Sequence, residues 1–314
     1  MNNVLDSLRG RDLLSLHDFS PQEITHMLDL AGNLKQKQKK GESHQLLKGK
    51  TLAMIFQKSS TRTRVSFEVG MFQLGGHALF LSANELQLGR GESIADTGRV
   101  LGRYVDGIMI RTFAQGDVEE LARYSPVPVI NGLTDLLHPC QVLADLQTVR
   151  EHKGKLSGLK LAWVGDGNNV CHSLLYGCAK AGMHISVASP EGYLPHAKIV
   201  AQARRDADTT GAAVTITIDP AEAVAGADVV VTDVWASMGQ ESQQRDRMKI
   251  FAPYRVDAGL VAGAAPDYIF MHCLPAHRGE EVATDIIDGP HSVVFDEAEN
   301  RLHAQKAVLA LLMA

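Results

Sequence analysis

Apolar residues along this chain recur with two periods that alternate. Thr51 to Phe56, His77 to Leu81, Gly107 to Ile110 and Val127 to Ile130 are short branched and aliphatic runs that read as buried strands. Between them, segments near 62–75, 92–103 and 117–124 space their apolar residues as helices do. An earlier helix is announced by Ser20-Pro21-Gln22-Glu23, a capping Ser with Pro at N1 and Glu at N3, followed by Ile24, Met27, Leu28, Leu30 and Ala31 on one face. The basic run from Lys35 to Lys40 reads as its solvated end, favourable to the helix dipole. Pro139 to His152 is again helix-like. After Lys153-Gly154-Lys155 the alternation restarts, with strands expected at Lys160–Val164, Ile185–Ala188, Ala213–Ile218, Val229–Thr232, Ile269–His272 and Ser292–Phe295, and a long closing helix from Glu297 to Met313.

Strand and helix alternating through two halves predicts an α/β protein with parallel sheets in two domains. In such folds ligands sit beyond the carboxyl ends of strands, in a crevice. Unusual polar groups do follow the predicted strands. Arg111 follows the third, and Leu137-His138-Pro139-Cys140-Gln141 the fourth. In the second half come Gly165-Asp166-Gly167-Asn168-Asn169, then Asp233 with Ser237-Met238-Gly239, then His272-Cys273-Leu274-Pro275. Each alone has an ordinary explanation, as loop residue, inert core cysteine or helix cap, and their shared topological position is what gives them weight.

The stretch Lys58-Ser59-Ser60-Thr61-Arg62-Thr63-Arg64 carries the sharpest chemistry. It joins a strand to a helix N-terminus, where unpaired N–H groups and the dipole favour an anion, with hydroxyls from Ser60, Thr61 and Thr63 and the planar fork of Arg62 as further donors. Ser-Thr before a helix also serves as a plain N-cap. Two arginines in a first turn, however, oppose the dipole, and such a local violation is expected at functional sites. No Gly-rich loop ends in Lys-Ser/Thr, so a P-loop is not supported. Gly165-Asp166-Gly167 does not make a dinucleotide fingerprint either, since Val170 stands at the third glycine.

The chain has 314 residues, 45% hydrophobic and 21% charged, with a net charge of −5, which gives no reason to expect nucleic acid or an acidic membrane as partner. Its four cysteines, Cys140, Cys171, Cys178 and Cys273, form no C-x-x-C pair, so neither disulfides nor a zinc site is indicated. No apolar run reaches spanning length and the N-terminus resembles no signal peptide, so a cytoplasmic, reducing setting is expected.

Together, Ser60-Thr61-Arg62-Thr63-Arg64, His138-Pro139-Cys140-Gln141, Asp233 to Gly239, His272-Cys273-Leu274-Pro275 and Glu299-Asn300-Arg301 resemble the aspartate/ornithine carbamoyltransferase superfamily, from about residue 10 to the end. Cys273 and the Ser-Met-Gly loop resemble the ornithine branch; the aspartate enzymes have His-Pro-Leu-Pro at the first of these. The resemblance implies two Rossmann-like α/β domains with parallel sheets flanked by helices: residues 1–138 for carbamoyl phosphate, 153–290 for ornithine, 139–152 as linking helix, and the C-terminal helix 297–314 returning to the first domain. It implies transfer of the carbamoyl group to the δ-amine of L-ornithine, giving L-citrulline and phosphate, with no redox cofactor or metal. Ser60, Thr61, Arg62, Thr63 and Arg111 are then expected to hold the phosphate. His138, Gln141 and Arg301 donate to the carbamoyl carbonyl, and the carbonyls of Cys273 and Leu274 orient the NH₂. Asn169, Asp233, Ser237 and Met238 take the α-amino and α-carboxylate groups of ornithine.

A Cys273 thiolate, its pKa lowered in a cation-rich pocket, is the expected base. Gln87 lies in a loop, near 85–92, that in the family reaches a neighbouring subunit's site; Arg90-Gly91 replaces the Ser-Lys of aspartate enzymes. A homo-oligomer of at least three chains is implied. Putrescine or an acylated ornithine as acceptor, and a non-catalytic regulator, are the alternatives. The intact Ser-Met-Gly loop argues against the first two, and the presence of Arg62, His138, Gln141 and Cys273 against the third.

Overall fold

The structure is a computed structural model that describes residues 8–83, 85–87, 91–236 and 244–314. The described chain divides into two units, residues 1–144 with 299–314, and residues 145–298. The chain passes from one to the other inside the helices Pro139–Lys153 and Val294–Met313.

The first unit holds a four-stranded parallel sheet in the order β2-β1-β3-β4, where β1 is Thr51–Phe56, β2 His77–Ser82, β3 Gly107–Arg111 and β4 Val129–Leu133. Ala53, Ile55, Ile108, Ile110 and Val129 point into a core closed by Val118 and Leu121 of the Gln115–Tyr124 helix. The Pro21–Lys39 helix begins with a complete capping box: Ser20 Oγ accepts from Glu23 N and the Glu23 carboxylate from Ser20 N. Its basic end is not wholly solvated as the sequence suggests. Lys35 is buried and its Nζ donates to Asn300 Oδ1 at 2.7 Å, while Lys39 and Lys40 remain in water. Lys35 falls on the face that also buries Leu28, Ala31 and Leu34, and an amide acceptor waits there.

The Thr61–Gln73 helix buries Thr63, Phe67, Gly70 and Met71. The stripe that marks it as a helix in the sequence faces outward, with Val65 50%, Val69 37% and Phe72 81% exposed.

The second unit holds a five-stranded parallel sheet in the order β7-β6-β5-β8-β9, with β5 Lys160–Val164, β6 His184–Ala188, β7 Val214–Thr217, β8 Val229–Thr232 and β9 Ile269–His272. Ala162, Val164, Val230 and Phe270 build its core with Trp235, Phe251 and Tyr254. Ser292–Phe295, expected as a further strand, makes only a single parallel bridge from Ser292 to Phe270 before the closing helix starts at Val294. Asp296 and Glu297 in the first turn favour that helix start, and Phe295 is turned into solvent, where a core strand would have buried it. In both sheets the strand order reverses beside the first strand, between β1 and β3 and between β5 and β8. These are the switch points at which α/β sheets hold ligands.

Candidate functional site

In the first unit, β1 runs into a loop that ends at Ser60, the N-cap of the Thr61–Gln73 helix, whose Oγ accepts from Thr63 N at 3.2 Å. The N-cap reading of Ser60 is therefore correct and does not exclude an anion, since the helix has no acid in its first turn to occupy the positive end. Thr61 is exposed, Arg62 half-buried and Thr63 buried. Arg64 belongs to another face: it pairs with Glu68 at 3.0 Å and covers the Phe80 ring at 3.7 Å. Lys58 is buried, pairs with Asp135 and lies over the Phe113 ring at 4.3 Å.

Arg111 is the last residue of β3, buried, with its carbonyl accepting from Gln57 N at 2.9 Å. His138 stands immediately before the Pro139–Lys153 helix and Gln141 in its first turn, both buried. Arg301 comes from the C-terminal helix. Its Nη1 donates to Gln141 Oε1 at 2.7 Å and its Nη2 to Thr63 Oγ1 at 3.1 Å, so three separate elements meet at one guanidinium. Burial, then the cations of Arg301, Arg111 and Arg62, hold the His138 imidazole well below its usual range. At neutral pH His138 is therefore a neutral ring with one N–H donor and one acceptor. A neutral donor, an amide and several guanidiniums around one position are a set suited to an oxygen on which negative charge develops. Gln87, by contrast, is exposed in the loop after β2, its carbonyl accepting from Glu92 N at 3.3 Å.

In the second unit the site grows from the ends of β5, β8 and β9. Asn168 caps the Asn169–Ala181 helix, its Oδ1 accepting from Val170 N at 3.0 Å and Cys171 N at 3.1 Å. The other end of its amide donates to Asp233 Oδ2 at 2.8 Å. Asp233 Oδ1 accepts from Val234 N at 2.8 Å and from the Cys273 thiol at 3.2 Å. Asn169 is the first residue of the same helix and half-buried. Ser237 and Met238 lie outside the described residues.

The Cys273 environment corrects the sequence expectation. Burial first, then the carboxylates of Asp233 and Glu297, the hydrogen bond to Asp233, and Asp145 raise the thiol well above its ordinary range. Acids face this sulfur and favour the protonated thiol, which donates to Asp233 and does not fit the expected thiolate base.

Beside it, His272 and Glu281 are fully enclosed. Glu281 Oε1 lies 3.2 Å from His272 Nε2, and His272 Nδ1 accepts from Leu274 N at 2.9 Å, which fixes the proton on Nε2. Glu297 Oε2 accepts from His272 N at 2.8 Å. Leu274 holds φ at 56°, a costly conformation for a bulky residue, and its following peptide bond to Pro275 is cis. The His272 ring and Glu297 thus pin the backbone that carries Cys273 and Leu274. Asp233, His272 and Cys273 offer three ligand atoms close enough for a metal ion, but both nitrogens of His272 are already engaged. A second such group, His277, Glu280 and Glu281, lies a few residues on.

Gly165-Asp166-Gly167 has a structural explanation. Gly165 adopts φ 143°, and a Cβ on Gly167 would come within 2.3 Å of Pro195 N, because the backbone of 194–195 lies directly against it. That backbone fills the space a pyrophosphate would need. Asp166 pairs with Arg247, whose guanidinium also lies 4.7 Å from the Tyr193 ring. Burial outweighs the pairing and raises Asp166 to about 6.

Sequence reading missed Asn168 as the partner of Asp233, Glu281 and Glu297 as the anchors of His272, and Gln305 beside Arg301. Asn168 carried the post-strand signal without its partner, and Gln305 had its i+4 position from Arg301 on one helix.

Comparison with known proteins adds a family to this geometry. Residues 11–151 match the family described as "Aspartate/ornithine carbamoyltransferase, carbamoyl-P binding domain" and residues 157–312 its "Asp/Orn binding domain". A curated ornithine carbamoyltransferase of Carboxydothermus hydrogenoformans is 64% identical over 99% of this chain and 100% of its own. One from Pyrococcus furiosus, named "Ornithine carbamoyltransferase, anabolic", is 60% identical over 98% of both chains. The solved structure of the Pyrococcus furiosus enzyme superposes with a TM-score of 0.95, at 60% identity, over 98% of each chain.

Proposed function

The chain belongs to the aspartate/ornithine carbamoyltransferase family, and we propose from that premise that it transfers the carbamoyl group of carbamoyl phosphate to the δ-amine of L-ornithine, releasing L-citrulline and phosphate. The observation that carries the chemistry is the meeting of Arg301, Gln141 and Thr63 beside a neutral His138, within reach of the fields of Arg62 and Arg111. Ser60, Thr61, Arg62, Thr63 and Arg111 bind the phosphate end. His138, Gln141 and Arg301 donate to the carbamoyl oxygen, where charge builds as the amine adds. The new C–N bond forms as the C–O bond to phosphate breaks, and the amine's proton leaves with the phosphate oxygens that gain the charge.

The acceptor end belongs to the second unit, where Asp233, Cys273 and Asn169 select the amine. Asp233 takes the α-ammonium, and a carboxylate with all its close neighbours donating still has lone pairs for a further donor. An acidic surround suits a diamine acid and disfavours aspartate, whose second carboxylate meets like charge. The Cys273 thiol serves as a donor that orients this carboxylate. The anabolic relative supports a biosynthetic direction, towards arginine. The free cysteines support a reducing, cytoplasmic setting, and among the described residues no helix is long and apolar enough to cross a membrane.

We also propose a homo-oligomer built from trimers, with Gln87 reaching a neighbour's site. Support comes from the outward stripe of Val65, Val69 and Phe72, an apolar run that a solitary chain rarely leaves in water. Citrulline formation from carbamoyl phosphate with ornithine, aspartate, putrescine and acetylornithine as alternative acceptors tests the substrate. Product only with ornithine supports the reading, and product only with another acceptor overturns it. Light scattering of the purified protein tests the assembly, a monomeric mass being the contrary result.

A further inference from the structure

One turn beyond Arg301, the C-terminal helix carries a glutamine that is fully enclosed. With its amide turned so that both ends find partners, Gln305 Oε1 accepts from Arg301 Nη2 at 3.0 Å and from Nε at 3.3 Å, and Nε2 donates to Ser66 Oγ at 2.5 Å. The Ser66 hydroxyl donates onward to the carbonyl of Arg62 at 2.6 Å. A guanidinium is planar with its donors in a fixed fork, so acceptors spread around the edge of the plane fix its orientation. Arg301 has such a set: Gln141 from the linking helix, Thr63 from the Thr61–Gln73 helix and Gln305 from its own.

We infer that Gln305 is a positioning residue for carbamoyl transfer, acting through Arg301 and tying its guanidinium, by way of Ser66, to the helix whose first turn binds the phosphate. The inference rests on the reading that Arg301 donates to the carbamoyl oxygen. Packing does not call for an amide here: a buried amide costs free energy unless both its ends are bonded, and an apolar residue of the same length fills the same space. What the amide supplies is an acceptor for two N–H groups of one arginine and a donor to one serine. Such control of angle matters because displacement of a catalytic donor by about 1 Å costs up to about a hundredfold in rate.

The test is a double-mutant cycle of Gln305→Met, close in length but without the amide, with Arg301→Lys, which keeps the charge and loses the fork. Gln305→Met is expected to lower kcat by between about tenfold and a hundredfold, with inhibition by inorganic phosphate unchanged within about twofold, because the phosphate donors are not moved. In the Arg301→Lys background the same change is expected to cost less than about threefold more, since a residue acting through Arg301 has nothing left to position. Wild-type kcat in Gln305→Met, an equal loss in both backgrounds, or phosphate inhibition weakened in step with kcat overturns the proposal. Arg301→Lys with wild-type kcat is a separate failure, of the Arg301 assignment itself. Should Gln305→Met not fold, Ser66→Ala takes its place. It is expected to cost about threefold to tenfold in kcat and little more in Arg301→Lys, and an equal loss in both backgrounds is again the contrary result.

Discussion

Replacing Lys306 by Met should change how stability depends on pH, and the size of the change follows from where the amine sits. Lys306 is fully enclosed, its stem against Gly70 and its Nζ donating to Gln73 Oε1 at 2.8 Å, with His44 Nε2 at 3.2 Å. His44 Nδ1 lies 2.8 Å from the carbonyl of Glu42, so its proton belongs there and Nε2 is an acceptor for the amine. Burial lowers Lys306 from 10.5 to about 8. The folded protein thus binds this proton more weakly than the unfolded chain, and the gap corresponds to about 3 kcal/mol. Below pH 8 both states carry the proton and the full penalty is present. Between about 8 and 10.5 the folded state has released it while the unfolded state has not, so stability rises with pH through that window. Met removes the penalty at neutral pH but leaves Gln73 and His44 without a donor, at about 1–3 kcal/mol each, so the two effects nearly cancel at pH 7. The slope does not cancel. In urea titrations of both proteins from pH 7 to 10.5, the wild type should gain about 3 kcal/mol relative to Lys306→Met as pH rises. A difference that stays flat over that range would falsify the buried-amine assignment.

Cys273→Ser should lower kcat yet leave the acidic limb of the kcat/KM profile where it is, because a thiol pushed up by burial and by Asp233 does not titrate there; a limb that moves or vanishes restores the thiolate base. Arg62→Ala should lose about a hundredfold or more in kcat while thermal unfolding stays within a few degrees of wild type, and a folded variant with normal turnover removes Arg62 from the phosphate site. Among amines, kcat/KM should fall from ornithine to lysine to putrescine, since a methylene too many costs about 1–3 kcal/mol whereas putrescine leaves buried donors and acceptors unmatched. Asp233→Asn should impair ornithine far more than carbamoyl phosphate, and unchanged ornithine kinetics would reassign that end.

Periodicity made most of the fold legible. β1, β5, β8 and β9 fall where their apolar runs place them, because a buried parallel strand must be apolar on both faces and a short uninterrupted run has few other uses. Ser292–Phe295 reads the same way and fails, since a four-residue run cannot tell a strand from the entry to a helix; the acids that follow decide it. Lys35 was misread for a related reason. A charge run shows composition, whereas burial depends on which face each residue occupies, and the acceptor at Asn300 is 265 residues away. Arg111, His138, Gln141, Asp233, Cys273 and Asn168 were visible through position after strands, although the bond from Asn168 to Asp233 was not. The supports Glu281 and Glu297 were not, because an acid that holds a histidine looks like any loop or helix residue until the chain is folded.

The Cys273 thiolate expected from the sequence does not fit the surroundings of the sulfur, and it shows why sign of charge has to be taken unit by unit. Arg62, Arg111 and Arg301 bear on His138, within the first unit, and there they do what a cationic surround does, keeping the imidazole neutral. Cys273 belongs to the second unit, where Asp233, Glu297 and Asp145 bear on the sulfur and keep its proton in place. Both shifts leave a titratable group uncharged at neutral pH, by opposite fields on opposite kinds of group. A neutral imidazole and a neutral thiol can each donate one hydrogen bond without bringing a charge to the site. On the proposed assignment that economy is useful, because the charges come with the substrates: phosphate would meet the guanidiniums and the ammonium of ornithine would meet Asp233. A cysteine thiolate would add a further anion beside Asp233, at a Coulomb cost of about 4 kcal/mol for unit charges 4 Å apart at an effective dielectric of 20. A Cys273 base would first have to ionise against that repulsion, whereas the departing phosphate is already anionic, and this is the physical reason to look for the δ-proton on phosphate.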